Sequence, residues 1–227
     1  HPGRTPPRPE SAGGVAHPLA DQRAAMNRPE RGADSSGSVG AIVLAGGRSS
    51  RFGRDKLVEP VGGRPLLDYA IDGVRQITED IVVVTSVDGV APVLPVGRVV
   101  RDREAFEGPL MAVAVGLGAT TAERLIVVAG DMPGLVPAVL WRLVDALADG
   151  SFEVAVLEVD GPPATLPMAL RRAAAEPAAR RLVASGTRRL AALPAALASV
   201  SVASAVWRLD DPAGSTLGDI DTPDDLP

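Results

Sequence analysis

The chain has 227 residues, 23 basic against 28 acidic side chains for a formal net charge of −5, no cysteine and two histidines. A net negative chain has no general attraction for nucleic acid or an anionic membrane, and without cysteine there are no disulfides, thiolate catalysis or cysteine-bound zinc and iron–sulfur centres. Both histidines, His1 and His17, fall near the N-terminus, so beyond them a Ser-His-Asp triad, a histidine base and a histidine metal site are unavailable, and catalysis would rest on carboxylates, hydroxyls, lysine, arginine, backbone dipoles and a bound ion.

Residues 1–38 are rich in Pro, Gly, Arg and Ser and hold few apolar residues to bury, which predicts a disordered tail before one folded domain over 39–227. Met26 is a candidate biological start. The same stretch lacks the apolar core of a secretory signal. Leu190 to Trp207 carries no charge, but Pro194 and three serines interrupt it, so a helix end followed by a strand is expected rather than a membrane span.

The first apolar run, Val39 to Ala45, opens into VLAGGRSSRFGRDK, residues 43–56. A buried strand that delivers a glycine-rich basic turn to the edge of a sheet makes a candidate phosphate site. Gly46 and Gly47 lack Cβ and let backbone N–H groups approach an anion, while Arg48, Arg51 and Arg54 add positive potential. Lys56 is the single lysine in the chain, and a compact ammonium suits phosphate oxygens; the alternative, arginine-biased coding, is disfavoured by the lysine's place inside the glycine loop. The loop has neither the Gly-Lys-Ser/Thr of a Walker motif nor a G-x-G-x-x-G.

Further along, Leu57 to Val61 reads as extended, Gly62-Gly63 as a turn, and Leu67, Ala70, Ile71 and Val74 as the buried face of a helix opened by Pro65. Ile81 to Thr85 is a continuous apolar run typical of a strand covered on both sides. Val99 and Val100 precede Asp102, Gly108-Pro109 opens a helix over Leu110 to about Thr120, and Leu125 to Ala129 is the next buried strand. Leu140, Leu143, Val144 and Leu147 space an amphipathic helix on which Trp141 and Arg142 read as surface or packing residues. Phe152 to Val159 reads as a strand, followed by a turn at Gly161-Pro162-Pro163 and by Leu166 to Leu170. The alternation predicts a Rossmann-like α/β domain, with a mostly parallel sheet and helices on both faces. Ligands then collect beyond the carboxyl ends of the strands. Those ends carry Gly46-Gly47, Thr85, Asp102 and Gly130-Asp131, all small or acidic. Asp131, in the sequence GDMP, is the strongest single candidate for a hard divalent ion that arrives with a nucleotide; the alternative is an N-cap for the helix near Pro137.

The glycine loop resembles the signature LAGGxSxRMGxDK of the nucleotidyltransferases that attach a nucleoside monophosphate to molybdenum cofactor, with Phe52 where methionine is usual. The likeness runs from about Val39 to the C-terminus and is strongest to the guanylyltransferase branch. It implies transfer of GMP from GTP to the terminal phosphate of molybdopterin with release of pyrophosphate, Mg²⁺ as cofactor, a cytoplasmic setting and transient contact with molybdoenzymes. It further implies that Leu44, Ala45, Gly46, Gly47, Lys56, Thr85, Asp102 and Asp131 meet GTP, that Lys56, Asp131 and Arg51 act in catalysis, and that Asp131 and Asp221 hold the metal. ASGTRRLAAL, residues 184–193, resembles the segment that presents arginines to the pterin, which would be Arg188 and Arg189; a solvated helix start is an equal reading. The final LGDIDTPDDL resembles the closing motif of the wider group, with Thr222-Pro223 opening a last helix. Its aspartates are more familiar in the cytidylyltransferases, whereas Met132 favours the guanylyl side. Cytidylyl transfer to the same cofactor, nucleotidyl transfer to another phosphorylated acceptor, and a nucleotide-binding regulatory module are the rival readings.

Overall fold

The computed structural model describes residues 37–46, 57, 60–87, 92, 94, 96–101 and 108–219. Gly47, Arg48, Arg51, Arg54, Lys56, Asp102 and Asp221, the residue 1–36 part of the expected tail with Met26, and the expected last helix lie outside the described residues. The apolar run Val39–Ala45 forms strand β1, and β4 (Ile81–Thr85) is buried at every position. Between them a small hairpin, β2 (Pro60–Val61) with β3 (Arg64–Pro65), turns through Gly62 and Gly63. Helix α1 (Leu66–Arg75) starts after Pro65 and buries Leu67, Ala70, Ile71 and Val74, the four residues spaced for it, together with Leu66.

The remaining elements are β5 (Arg98–Arg101), α2 (Pro109–Gly118), β6 (Arg124–Ala129), α3 (Pro137–Asp145), β7 (Val154–Leu157), β8 (Ala164–Arg171), α4 (Arg172–Ala184), α5 (Ala192–Ala195), β9 (Ser199–Val202) and α6 (Ser204–Trp207). Seven strands make one sheet in the order β5-β4-β1-β6-β8-β7-β9. Strands β5, β4, β1 and β6 run parallel, β9 is parallel to β7, and β8 is antiparallel to both its neighbours. The reversal at β8 follows from chain length: the turn through Gly161, Pro162 and Pro163 is far shorter than the dozen or so residues a parallel return needs.

Side-chain alternation along the strands builds two cores. One face carries Ala41, Val43, Ile81, Val83, Ile126 and Val128 against α1 and α3; the other carries Ile42, Val82, Val84, Leu125 and Val127 against α2 and α4. Burial on both faces is why these strands read as unbroken apolar runs rather than alternating ones. Helix α4 is not announced by its sequence, because Pro177 sits in its interior, where it removes a backbone hydrogen bond. Ala175, Ala178 and Ala179 nonetheless bury completely or nearly so, and Glu176 bridges Arg172 at 3.0 Å and Arg180 at 2.6 Å, one turn to either side. The uncharged stretch from Leu190 resolves into α5 and β9, the helix and strand expected, and adds the short helix α6. Among the described residues no helix is long and apolar enough to cross a membrane.

Candidate functional site

Parallel register decides where the candidate residues end up. Ala45 lies opposite Thr85, Thr85 opposite Arg101, and Leu44 opposite Ala129, and the Gly130 N–H donates to the Leu44 carbonyl at 2.9 Å. The four neighbouring parallel strands β5, β4, β1 and β6 therefore finish in one row, and Gly46, Thr85 and Asp131 come to a single edge although 85 positions of sequence separate the first from the last. Leu44 and Ala45 are buried with their side chains in opposite cores, so at this edge they can offer only backbone groups. Gly46 is exposed; a Cβ there would stand 3.2 Å from the backbone nitrogen of Ser86, so the end of β1 passes close against the chain leaving β4.

Thr85 is 1% exposed, and its hydroxyl has no hydrogen-bond partner among the described residues. Such orphans are uncommon in folded proteins and cost stability. Beside it, Arg101 donates to the Val87 carbonyl at 2.5 Å and so ties the chain beyond β4 to the end of β5, a role that sequence pattern does not signal.

Asp131 is half-buried in the turn after β6. It is not the cap of the following helix: the N-cap of α3 is Val136, whose own N–H is taken by the Thr216 hydroxyl at 3.1 Å. That contact belongs to a turn built on Asp211. Asp211 is 3% exposed, and its two carboxylate oxygens accept the N–H groups of Ser215 at 3.0 Å and Thr216 at 2.7 Å. Burial alone pushes this carboxyl up, but the N–H groups of Thr216, Ser215 and Gly214 outweigh it and hold the group below the usual aspartate value. The folded-back segment, ending in a 3-10 turn over Ser215–Leu217, lies on the loop after Asp131: a Cβ on Gly134 would come within 2.5 Å of the Ser215 carbonyl oxygen. A second tie joins Arg142 of α3 to Asp210, which accounts for Arg142 as a packing residue. The signal available in the sequence was Asp-Pro-Ala-Gly-Ser at 211–215, a composition that favours side-chain-to-backbone turns.

Arg188 and Arg189 are both exposed. The Arg188 carbonyl accepts the Leu110 N–H at 3.4 Å, and Gly108, at φ 93°, lies so close that a Cβ would be 3.0 Å from that carbonyl oxygen. Arg188 is thus seated by its backbone on the first turn of α2, with Arg189 next to it in the chain. A crossover helix starts at the carboxyl edge of its sheet, so the pair shares the edge with Gly46, Thr85 and Asp131.

A divalent cation fits this donor set only in a particular way. The described site residues offer hard oxygen atoms, the Asp131 carboxylate foremost, and no nitrogen or sulfur ligand. No group of three or more His, Cys, Asp or Glu is gathered among the described residues. A hard ion that keeps phosphate oxygens and water as its other ligands suits such a site, whereas an ion in an all-protein cage does not.

A run of parallel strands that brings Gly46, the buried hydroxyl of Thr85 and the Asp131 carboxylate to one edge, where open α/β sheets take their ligands, defines a nucleotide-handling α/β domain. The chain belongs to the MobA-like NTP transferase family, whose domain model matches residues 41–202. A relative from Chloroflexus aggregans, a probable molybdenum cofactor guanylyltransferase, is 34% identical over 198 residues, spanning 83% of this chain and 91% of the relative. Among solved structures, the molybdopterin-guanine dinucleotide biosynthesis protein A of Archaeoglobus fulgidus superposes with a TM-score of 0.68 at 20% identity, over 82% of this chain and 94% of that one. A Mycobacterium tuberculosis protein crystallised with manganese shares the fold with a TM-score of 0.52 at 20% identity, over 73% and 88% of the two chains.

Proposed function

We propose that this chain transfers GMP from GTP to the terminal phosphate of molybdopterin, releasing pyrophosphate. The observation that carries the reading is the convergence of Gly46, Thr85 and Asp131 on one edge, with the glycine loop and Lys56 following directly on Gly46 in the chain. The family and the C. aggregans relative supply the class of substrate.

The reaction is an in-line displacement. A phosphate oxygen of the acceptor forms a bond to the α-phosphorus of GTP, the bond from that phosphorus to the bridging oxygen breaks, and pyrophosphate leaves. A phosphate monoester is already anionic near neutral pH, so the missing histidine is no obstacle, and the protein's task is positioning and charge neutralisation. Backbone N–H groups at Gly46 and Gly47 and the ammonium of Lys56 hold the triphosphate, with Arg51 assisting; Leu44 and Ala45 contribute backbone, and Thr85 and Asp102 contact the nucleotide. Asp131, with Asp221, would hold Mg²⁺, which supplies charge neutralisation at the phosphate oxygens. Arg188 and Arg189 face the pterin. The product is a cofactor, so its recipient molybdoenzyme is met transiently.

Pyrophosphate release with molybdopterin and each of GTP, CTP, ATP and UTP tests the reading. Turnover is expected with GTP. Turnover with CTP alone would move the chain to cytidylyl transfer, turnover only with a sugar phosphate would change the acceptor, and tight GTP binding without any turnover would make it a regulatory module.

A further inference from the structure

We propose that Asp211, acting through Thr216, is a positioning residue for the Asp131 loop, so that metal-dependent nucleotide binding depends on this pair; the inference rests on the reading of Asp131 as a metal ligand. Asp211 is among the few charged side chains withdrawn from solvent in the described residues, and both its oxygens serve chain-turning N–H groups at 215 and 216. The turn it makes has one neighbour of consequence. Thr216, fully buried, accepts the N–H of Val136 across 80 residues of sequence, and the Ser215 carbonyl is packed so closely on Gly134 that no side chain fits between them. The loop from Asp131 to Val136 is thereby held at its far end by a segment anchored in the core, since the Asp211 N–H donates to the carbonyl of buried Trp207 at 3.2 Å. Helix α3 has no side-chain cap from Val136 itself, and Pro137, its first residue, has no N–H; Thr216 thus meets a backbone donor that its own loop does not. Residues behind a metal ligand commonly change metal affinity about tenfold or more when replaced, because they orient the ligand.

The test compares GTP affinity with and without Mn²⁺ in the full chain, by calorimetric titration, for Thr216→Val, Thr216→Ser, Asp211→Asn and Asp131→Asn, alongside thermal melting. Thr216→Val and Asp211→Asn are expected to weaken Mn²⁺-dependent GTP binding on the order of tenfold, with metal-free GTP affinity unchanged, and Thr216→Ser, which keeps the accepting oxygen, is expected to restore it. If Asp131→Asn binds Mn²⁺-GTP like the parent, Asp131 is not the metal ligand and the underlying reading falls. If Asp131→Asn loses it while folded Thr216→Val and Asp211→Asn keep it, the positioning role alone is refuted. Should Thr216→Val and Asp211→Asn lower the melting temperature without altering Mn²⁺-dependent affinity, or fail to fold at all, the pair is a structural clamp and the proposal is overturned.

Discussion

Thr85→Val separates stability from ligand binding at the edge of the sheet. Thr85 closes β4 with 1% of its surface exposed and its hydroxyl unpartnered among the described residues. Its neighbours on the same face of the strand, Ile81 and Val83, belong to the α1 and α3 core, so a valine methyl at this position meets compatible surroundings. An unsatisfied buried hydroxyl costs about 1–3 kcal/mol. Taking the lower end, since the strand end borders the open edge, the valine variant gains about 1 kcal/mol, or a rise of about 2–4 °C in melting temperature for a domain of this size. If the hydroxyl instead serves the nucleotide, the same substitution removes a hydrogen bond of about 0.5–1.5 kcal/mol from the complex, weakening GTP by roughly twofold to twelvefold. Differential scanning calorimetry and a GTP titration on the same preparation check both halves. A valine variant that melts lower than the parent would refute the orphaned hydroxyl, and one that melts higher but binds GTP unchanged would refute its service to the ligand.

Lys56→Ala should lower turnover by about 10²–10³-fold through lost transition-state stabilisation, measured as initial rates of pyrophosphate release; near-normal turnover removes the lysine from the mechanism. Gly134→Ala forces a Cβ toward the Ser215 carbonyl, with backbone on both sides, and should destabilise by about 1–3 kcal/mol in urea unfolding; parental stability would mean that the two segments do not touch. For Asp211, whose carboxyl is held below its ordinary value by N–H donors, the contribution to stability is full above the unfolded value of about 3.9 and disappears as pH falls through the lower folded value. The stability difference between the parent and Asp211→Asn, followed by guanidinium unfolding, should therefore be constant above about pH 5 and shrink in the acid range below about pH 4; a difference that grows on acidification contradicts the assignment.

Much of the fold is legible in the sequence alone. The strands Val39–Ala45, Ile81–Thr85 and Leu125–Ala129 declare themselves because a central parallel strand is buried on both faces and must be apolar throughout, and helix α1 because its four core residues keep a helical period. The polar residues just past those strands stand out for the same reason: nothing at a strand end requires them for the core. Helix α4 was not legible, since Pro177 argues against a helix and only the packing of Ala175, Ala178 and Ala179 outweighs it. The helix-cap alternative for Asp131 was open in the sequence and closed by the structure, where Val136 holds the N-cap position.

By itself, then, the sequence determined the fold class, because it depends on local composition and periodicity, and it singled out Gly46, Thr85 and Asp131 as candidates at the strand ends. Only the tertiary structure decided which distant segments pack on the loop that follows Asp131. Asp211 and Val136 meet through Thr216, although the loop and the turn that they occupy are about eighty residues apart in the chain, and no local pattern can announce a contact whose two halves have no reason to coexist until the sheet has brought them together.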